Sequence, residues 1–264
     1  MVYYSLNILF FYNIPNLLIF SLFREVVKRL GIHTAFLPTV LVESFLVVEE
    51  GMLTMNIGNS LVAPSAFFIP IQDKDVPKKF RGPLAKWRQM ALNVRYVGPI
   101  FWRVFEGFTL KEGAPKAGLC YEAFAYLKNW ILKNDMPTKS GYAFFIPRLL
   151  EGSASKNVDE QRALMTRTQK KYGLPEYHLS NFGSASMLSG LILAHRRRLG
   201  DKSSLDRYAV RTDTLFESGD HLNLSFDCDA LRCGQWGAAS DRLGFLGVFP
   251  LALEPDLPAD PSGQ

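Results

Sequence analysis

Cysteine is scarce in this chain: Cys120, Cys228 and Cys233 are the only three in 264 residues. Three thiols cannot build the disulfide framework of a small secreted scaffold, and any pairing leaves one over. A reducing compartment is the simpler expectation, and the body of the chain is expected to be cytoplasmic. The short motifs that announce common chemistries are also missing. The chain has no G-x-x-x-x-G-K-[ST], no G-x-G-x-x-G, no H-E-x-x-H and no G-x-S-x-G. Phosphate-loop, dinucleotide, zincin and α/β-hydrolase chemistry are therefore unsupported, and no cofactor is expected. Nothing matches an RNP, KH or zinc-finger pattern. No long repeat is present. Gly-Ser-Ala-Ser occurs twice, at 152–155 and 183–186, each time ahead of a predicted helix.

Charge is absent from the first 23 residues, MVYYSLNILFFYNIPNLLIFSLF, and Arg24, Lys28 and Arg29 follow at once. A span needs about 20 apolar residues, so residues 1–23 meet the length of a membrane anchor with the body on the cytoplasmic side. Asn7, Asn13, Asn16 and Pro15 oppose that reading, because each places a polar group or a broken helix in hydrocarbon. The other reading makes residues 1–54 a buried helical element or a non-native extension, with Met52 and Met55 as internal starts.

What is present is a basic, aromatic-rich body. The chain is 48% hydrophobic, 13% aromatic and 21% charged, with 20 Phe and a net charge of +5. Removing the −1 of residues 1–54 and the −3 of residues 254–264 leaves +9 on residues 55–253. A body of that size and charge buries a core of its own and attracts anionic partners: nucleic acid, acidic protein or anionic lipid. The expected organisation is an apolar segment over 1–54, one α+β domain over 55–253 and a disordered acidic tail over 254–264.

Periodicity predicts three to five helices and an antiparallel C-terminal β-meander. Residues 61–71, with Pro64 and Pro70, read as an edge strand or ordered loop. Leu84 to Leu92 reads as a short helix, and 94–110 as two strands around Gly98-Pro99. Cys120, Ala123, Phe124, Leu127 and Ile131 share a face of a helix predicted over 117–134. Asn157 and Glu160 form a capping box ahead of a helix stopped by Gly173 and Pro175. Another helix runs from Ala185 to Leu199. Beyond Tyr208 the pattern becomes strands, with turns at Ser218-Gly219 and within CDALRC, and a last strand in LGFLGVF.

Three constellations could carry function. Cys120 opens its predicted helix, where unpaired backbone N–H groups would stabilise a thiolate. The stretch GLCYEA resembles the nucleophile helix of cysteine hydrolases and transglutaminase-like enzymes. That resemblance implies His221 as the base, with Asp227 or Asp241 orienting it. In the bland reading Cys120 is a small core residue. His221, Cys228 and Cys233 offer imidazole and thiolate, but Cys-x4-Cys without a fourth ligand fits a thiol pair or disulfide as well as a metal, and no metal site is assigned. Basic residues gather in His195-Arg196-Arg197-Arg198, in Lys170-Lys171, and in Lys78, Lys79, Arg81, Lys86 and Arg88. Cations in a last helical turn interact favourably with the helix dipole, which explains the first group without a ligand, and Lys170 and Lys171 fit a solvated helix surface. Together the groups could instead form an anion-binding surface, with Trp87 and Tyr96 available to stack on bases. The reading is a basic α+β binding protein that is not an enzyme; the alternatives are the cysteine-dependent hydrolase or acyltransferase and a nucleic-acid binder.

Overall fold

The fold is built around one helix that is buried on every side. Residues 185–195 are all buried, although Ser186, Ser189, Gly190 and His195 stand among them. Small residues let this helix approach its neighbours closely. A Cβ on Gly190 would lie 2.1 Å from the ring of Phe68 and 3.0 Å from that of Phe108.

The computed structural model describes residues 67–199, 208–227, 229–234 and 238–256. Within them are nine strands, β1 (Phe68–Pro70), β2 (Phe101–Val104), β3 (Leu132–Lys133), β4 (Gly141–Phe145), β5 (Ala209–Phe216), β6 (His221–Asp227), β7 (Ala230–Gly234), β8 (Leu246–Gly247) and β9 (Leu251–Pro255). The α-helices are α1 (Arg81–Asn93), α2 (Ala114–Ala117), α3 (Val158–Tyr172) and α4 (Ala185–Leu199). All belong to the unit Leu61–Gln264. The expectations for residues 1–54 lie outside the described residues. Among the described residues, no helix is long and apolar enough to cross a membrane.

The architecture is α+β with antiparallel pairing throughout, apart from β8 on β5. One sheet has the order β1-β2-β4-β9, and the other runs β3-β5-β6-β7. Side chains alternate across the first sheet. Phe101, Phe144 and Ala252 join Leu84, Trp87 and Met90 of α1 and Val158 and Met165 of α3 in one apolar cluster. Trp102, Ala143, Phe145 and Leu251 join α4 and the second sheet in another. The layers are therefore α1 and α3, the first sheet, α4, and the second sheet.

Several sequence expectations meet the structure directly. The capping box is formed: Glu160 N–H donates to Asn157 Oδ1 at 2.9 Å, and Asn157 N–H donates to Glu160 Oε2 at 3.1 Å. Gly173 ends α3 in the left-handed conformation. Strand β1 lies at a sheet edge, where Pro70 is tolerated. The meander β5-β6-β7 is antiparallel.

Others are corrected. Residues 94–110 hold one strand, β2, because 94–98 turns out of α1 through hydrogen bonds to Ala91 and Leu92. LGFLGVF contributes only β8. The last strand is β9, so the boundary expected at 253 falls inside a strand, and Asp256 pairs with Arg103. The helix expected over 117–134 is absent. Gly118 ends the short α2, and Cys120 is extended and bridges to Leu231. A 3-10 stretch, Tyr121–Asn129, follows with a left-handed turn at its start. Pairing with β7 overrides the 3.6-residue spacing of its apolar side chains.

Gly190→Ala should lower stability by about 1–3 kcal/mol, since the added methyl has no space against Phe68 and a close-packed core does not yield. Urea denaturation measures the change. An unchanged midpoint would mean that α4 is not pressed against β1.

Candidate functional site

Burying α4 leaves the backbone N–H groups of its first turn away from water, and each needs a partner. A bulge in the second sheet, Asp135 and Ser184 supply them. Strand β5 shifts register against β6 between Arg211 and Leu215. Of the displaced residues, Asp213 and Thr214 turn their side chains toward the start of the helix, while the Thr212 hydroxyl donates to the carbonyl of Leu222 in β6. Ala185 N–H donates to Thr214 Oγ1 at 2.9 Å, and Ser186 N–H donates to Asp135 Oδ1 at 3.0 Å. Met187 N–H donates to Ser184 Oγ at 3.2 Å. The hydroxyls of Ser186 and Thr214 both donate to Asp135. Gly183 N–H donates to Asp213 Oδ2 at 2.9 Å. Burial pushes the Asp135 and Asp213 carboxyls up, against the downward pull of these hydrogen bonds.

His221 belongs to this arrangement. Its Nδ1 lies 2.6 Å from the carbonyl oxygen of Thr212, which can only accept, so Nδ1 carries the proton. Its ring meets Phe182 edge-on. Burial lowers its pKa, against the upward pull of the hydrogen bond to the Thr212 carbonyl; Arg211 and Arg162 lower it further and Asp213 raises it.

Cys120 lies elsewhere. It packs in the core with Leu231, Phe124 and Cys233, and no hydrogen bond joins it to His221. It is not at the N-terminus of an α-helix, so the backbone donors expected to stabilise a thiolate are missing. Burial pushes its thiol up to about 12. The Asp227 side chain and Cys228 lie outside the described residues, while Asp241 accepts from Ala238 N–H. Cys233 is a free thiol opposite Leu224, because β6 and β7 pair from Asp227↔Ala230 onward and the hairpin turns earlier than Asp229 to Arg232. Among the described residues, no three His, Cys, Asp or Glu side chains converge to hold a metal.

A second polar network lies on the other side of the first sheet. Trp87 Nε1 donates to His178 Nδ1 at 3.0 Å, and His178 Nε2 lies 2.8 Å from Glu254 Oε1. An indole N–H only donates, so His178 Nδ1 is bare and Nε2 carries the proton. Tyr177 also donates to Glu254, and its phenol is pushed up to about 12. Burial lowers the His178 pKa, against the pull of Glu254. The network pins the loop after α3 to α1 and β9.

The basic groups differ in what holds them. Arg196 is committed to Asp229 at 2.6 Å and to the ring of Phe226 at 4.1 Å. His195 is buried against Tyr96. Arg197 and Arg198 are exposed. Trp87 and Tyr96 are buried and cannot stack on bases. Lys78, Lys79, Arg81, Lys86, Lys170 and Lys171 are all exposed. Lys86 of α1 donates to the carbonyl of Gly173 at the end of α3, and Asn93 donates to the hydroxyl of Tyr172. The middle of α1 is thereby joined to the basic last turn of α3.

One cleft of about 260 Å³ is lined by Tyr121, Glu122, Tyr126, Trp130, Arg232, Cys233 and Gly234. Sequence reasoning missed it, because it joins segments about a hundred residues apart. Tyr126 closes its base. Cys233 N–H donates to Tyr126 Oη at 2.9 Å, and Tyr126 Oη donates to the Cys233 carbonyl at 3.2 Å. That hydroxyl completes the outer edge of β7, where Leu231 N–H already donates to the carbonyl of Leu119. No protein-family model, curated protein or solved structure matches the chain.

Two predictions follow from this geometry. Both histidines are held neutral in the fold, whereas the unfolded chain takes up protons below pH 6.5. Their contribution to stability is therefore complete above that pH and lost as pH falls below it. The slope reaches at most about 2.7 kcal/mol per pH unit for two groups. The double variant His178→Gln, His221→Asn keeps both donors but cannot titrate, and urea midpoints between about pH 7 and about pH 5 should flatten. Tyr126→Phe leaves two backbone groups of β7 unpaired and should cost about 1–3 kcal/mol. Size-exclusion chromatography should also show new self-association through the uncovered edge; a monomer of unchanged stability contradicts this role.

Proposed function

We propose that this chain is a non-enzymatic binding protein that docks an anionic partner on the outer face of α1 and α3. The supporting observation is the Lys86 bond to the Gly173 carbonyl, which holds the two basic helices side by side. Helix α1 carries Arg81, Lys86 and Arg88 and no acid, with Arg88 paired to Asp73 at 2.7 Å, so Arg81 and Lys86 are its exposed cations. The acids of α3, Asp159 and Glu160, lie in its first turn, and Lys170 and Lys171 in its last. The inward faces of both helices are occupied by Trp87, Met90, Val158 and Met165. What remains outward is cationic where α1 meets the end of α3. Such a surface draws anions by long-range attraction and releases counterions on contact, so its affinity falls with salt.

The cysteine-hydrolase reading gains no support from the site. It needs a thiolate and a base in hydrogen-bond reach, and Cys120 is a buried thiol without that contact.

The test is salt-dependent binding to a short single-stranded DNA, to heparin and to anionic vesicles. Lys170→Glu, Lys171→Glu should weaken binding by about tenfold or more and reduce the salt slope by about two. Arg197→Glu, Arg198→Glu, placed on the last turn of α4, should change it much less. Equal losses in the two variants would mean that net charge acts without a defined face. Binding unaffected by salt would also overturn the proposal. Which of the three anions binds best identifies the class of partner.

A further inference from the structure

We infer that the C-terminal end of α1, together with the last turn of α3, is a contact surface for an anionic phospholipid bilayer. The inference rests on the cationic reading of the α1–α3 face and narrows its partner to one class. Two aliphatic side chains set this end apart. Leu92 is 56% exposed and Val97 81%, the highest of any large hydrophobic side chain among the described residues. Leu92 follows Arg81 by about three helical turns, so the two share the outward stripe of α1, away from Trp87 and Met90. Residues 94–98 turn back on the same end. Arg95 N–H donates to the Leu92 carbonyl at 3.0 Å, and Arg88 Nη1 donates to the Gly98 carbonyl at 2.8 Å. Val97 is therefore held beside the end of the helix.

Cations stand around these aliphatic groups. Asn93, next to Leu92, donates to the Tyr172 hydroxyl, which brings Lys170 and Lys171 to this end of α1. Lys170 and Arg95 are exposed and hold no ion pair or side-chain hydrogen bond among the described residues. The acid Asp73 is already paired with Arg88, and Glu176 lies beyond the turn at Gly173. Arg95 has a φ of 54°, the left-handed position past a helix end that glycine fills most easily. A long cation thus stands where the backbone alone would be better served by glycine.

This combination selects a lipid surface over a nucleic acid. A bilayer takes aliphatic side chains into its headgroup and acyl boundary, while its anionic headgroups attract lysine and arginine. Single-stranded nucleic acid is held by cations together with exposed aromatic rings. On this face Trp87 and Tyr96 are buried, and the Tyr172 ring already carries the Lys171 ammonium 5.4 Å from its centre. Leu92 and Val97 gain nothing from a phosphate backbone, whereas insertion removes both from water.

Sedimentation of the full chain with vesicles tests the surface. The vesicles are phosphatidylcholine alone or mixed with phosphatidylserine, and heparin and a short single-stranded DNA are the comparisons. Residues 1–23 are the same in every variant, so differences between variants read the α1 end. Phosphatidylserine should strengthen binding. Leu92→Ser, Val97→Ser should weaken binding to those vesicles about fivefold or more and leave heparin binding unchanged. Arg95→Gly should weaken it about fivefold without lowering the urea midpoint, because glycine suits the left-handed position. Lys170→Glu, Lys171→Glu should weaken binding to vesicles and heparin alike. Urea midpoints establish that each variant is folded. The lipid inference is overturned if the folded Leu92→Ser, Val97→Ser variant binds vesicles as wild type does. It is also overturned if DNA binds and the phosphatidylserine vesicles do not, a result that leaves the cationic face standing. If Lys170→Glu, Lys171→Glu changes binding to none of the anions, the cationic face itself falls.

Discussion

The constraint on which the structure depends is the buried start of α4. A helix between two sheets cannot leave its first N–H groups to water, and an unpaired buried donor costs about 1–3 kcal/mol. The β5 bulge and Asp135 meet that need together. Thr214 serves Ala185, Asp135 serves Ser186, and Asp213 holds Gly183 just ahead of the helix. Asp135 also places negative charge at the positive end of the helix dipole. The order of the second sheet, the position of α4 and the loop before it are therefore one hydrogen-bonded unit. His221 is drawn into that unit through the Thr212 carbonyl. A histidine that reads in sequence as a general base thus has a structural tie on one nitrogen.

The first sheet divides the molecule chemically. On its α4 side the contacts are apolar and close, as the Gly190 approach to Phe68 shows. On its other side α1 and α3 cover it, tied by the Trp87–His178–Glu254 network. Each helix spends its apolar stripe on that sheet, so recognition on this side must use what the stripe leaves. Among those residues the charged ones are mostly basic: Arg81, Lys86, Arg162, Arg167, Lys170 and Lys171 are exposed, against Asp159. The aromatic cleft lies among different elements, between residues 121–130 and the end of β7.

What the sequence disclosed depended on how local each signal is. Helix α3 was legible because its start and stop are written within it, in Asn157, Glu160 and Gly173. The meander was legible from its turn at Ser218-Gly219. The segment after Cys120 misled, because Ala123, Phe124 and Leu127 have helical spacing whatever conformation they adopt. A long-range partner, the edge of β7, decided it instead. The β5 bulge left no periodic trace; only the polar run Arg211-Thr212-Asp213 inside a strand marked it. The cleft was invisible for the same reason as the edge contact: Tyr126 and Cys233 are 107 positions apart.

The left-handed turn at 122–124 bears on what that segment is for. Three such residues cost together about 3–6 kcal/mol. Burying Phe124 and Leu127 contributes about 1.5–3 kcal/mol each. Bonds to the β7 edge from Leu119 and Tyr126 add about 0.5–1.5 kcal/mol apiece. These gains are of the same order as the cost of the turn, before the entropy of ordering the segment is counted. Protecting a strand edge does not by itself require this arrangement, since a lysine or a proline on the edge does so without strain. The strained turn achieves something those devices do not. It keeps Phe124 inside while leaving Glu122 and the ring of Tyr121 beside Arg232 at the mouth of a cleft. The turn therefore shapes the rim of the cleft while Tyr126, a few residues on, completes the edge of β7.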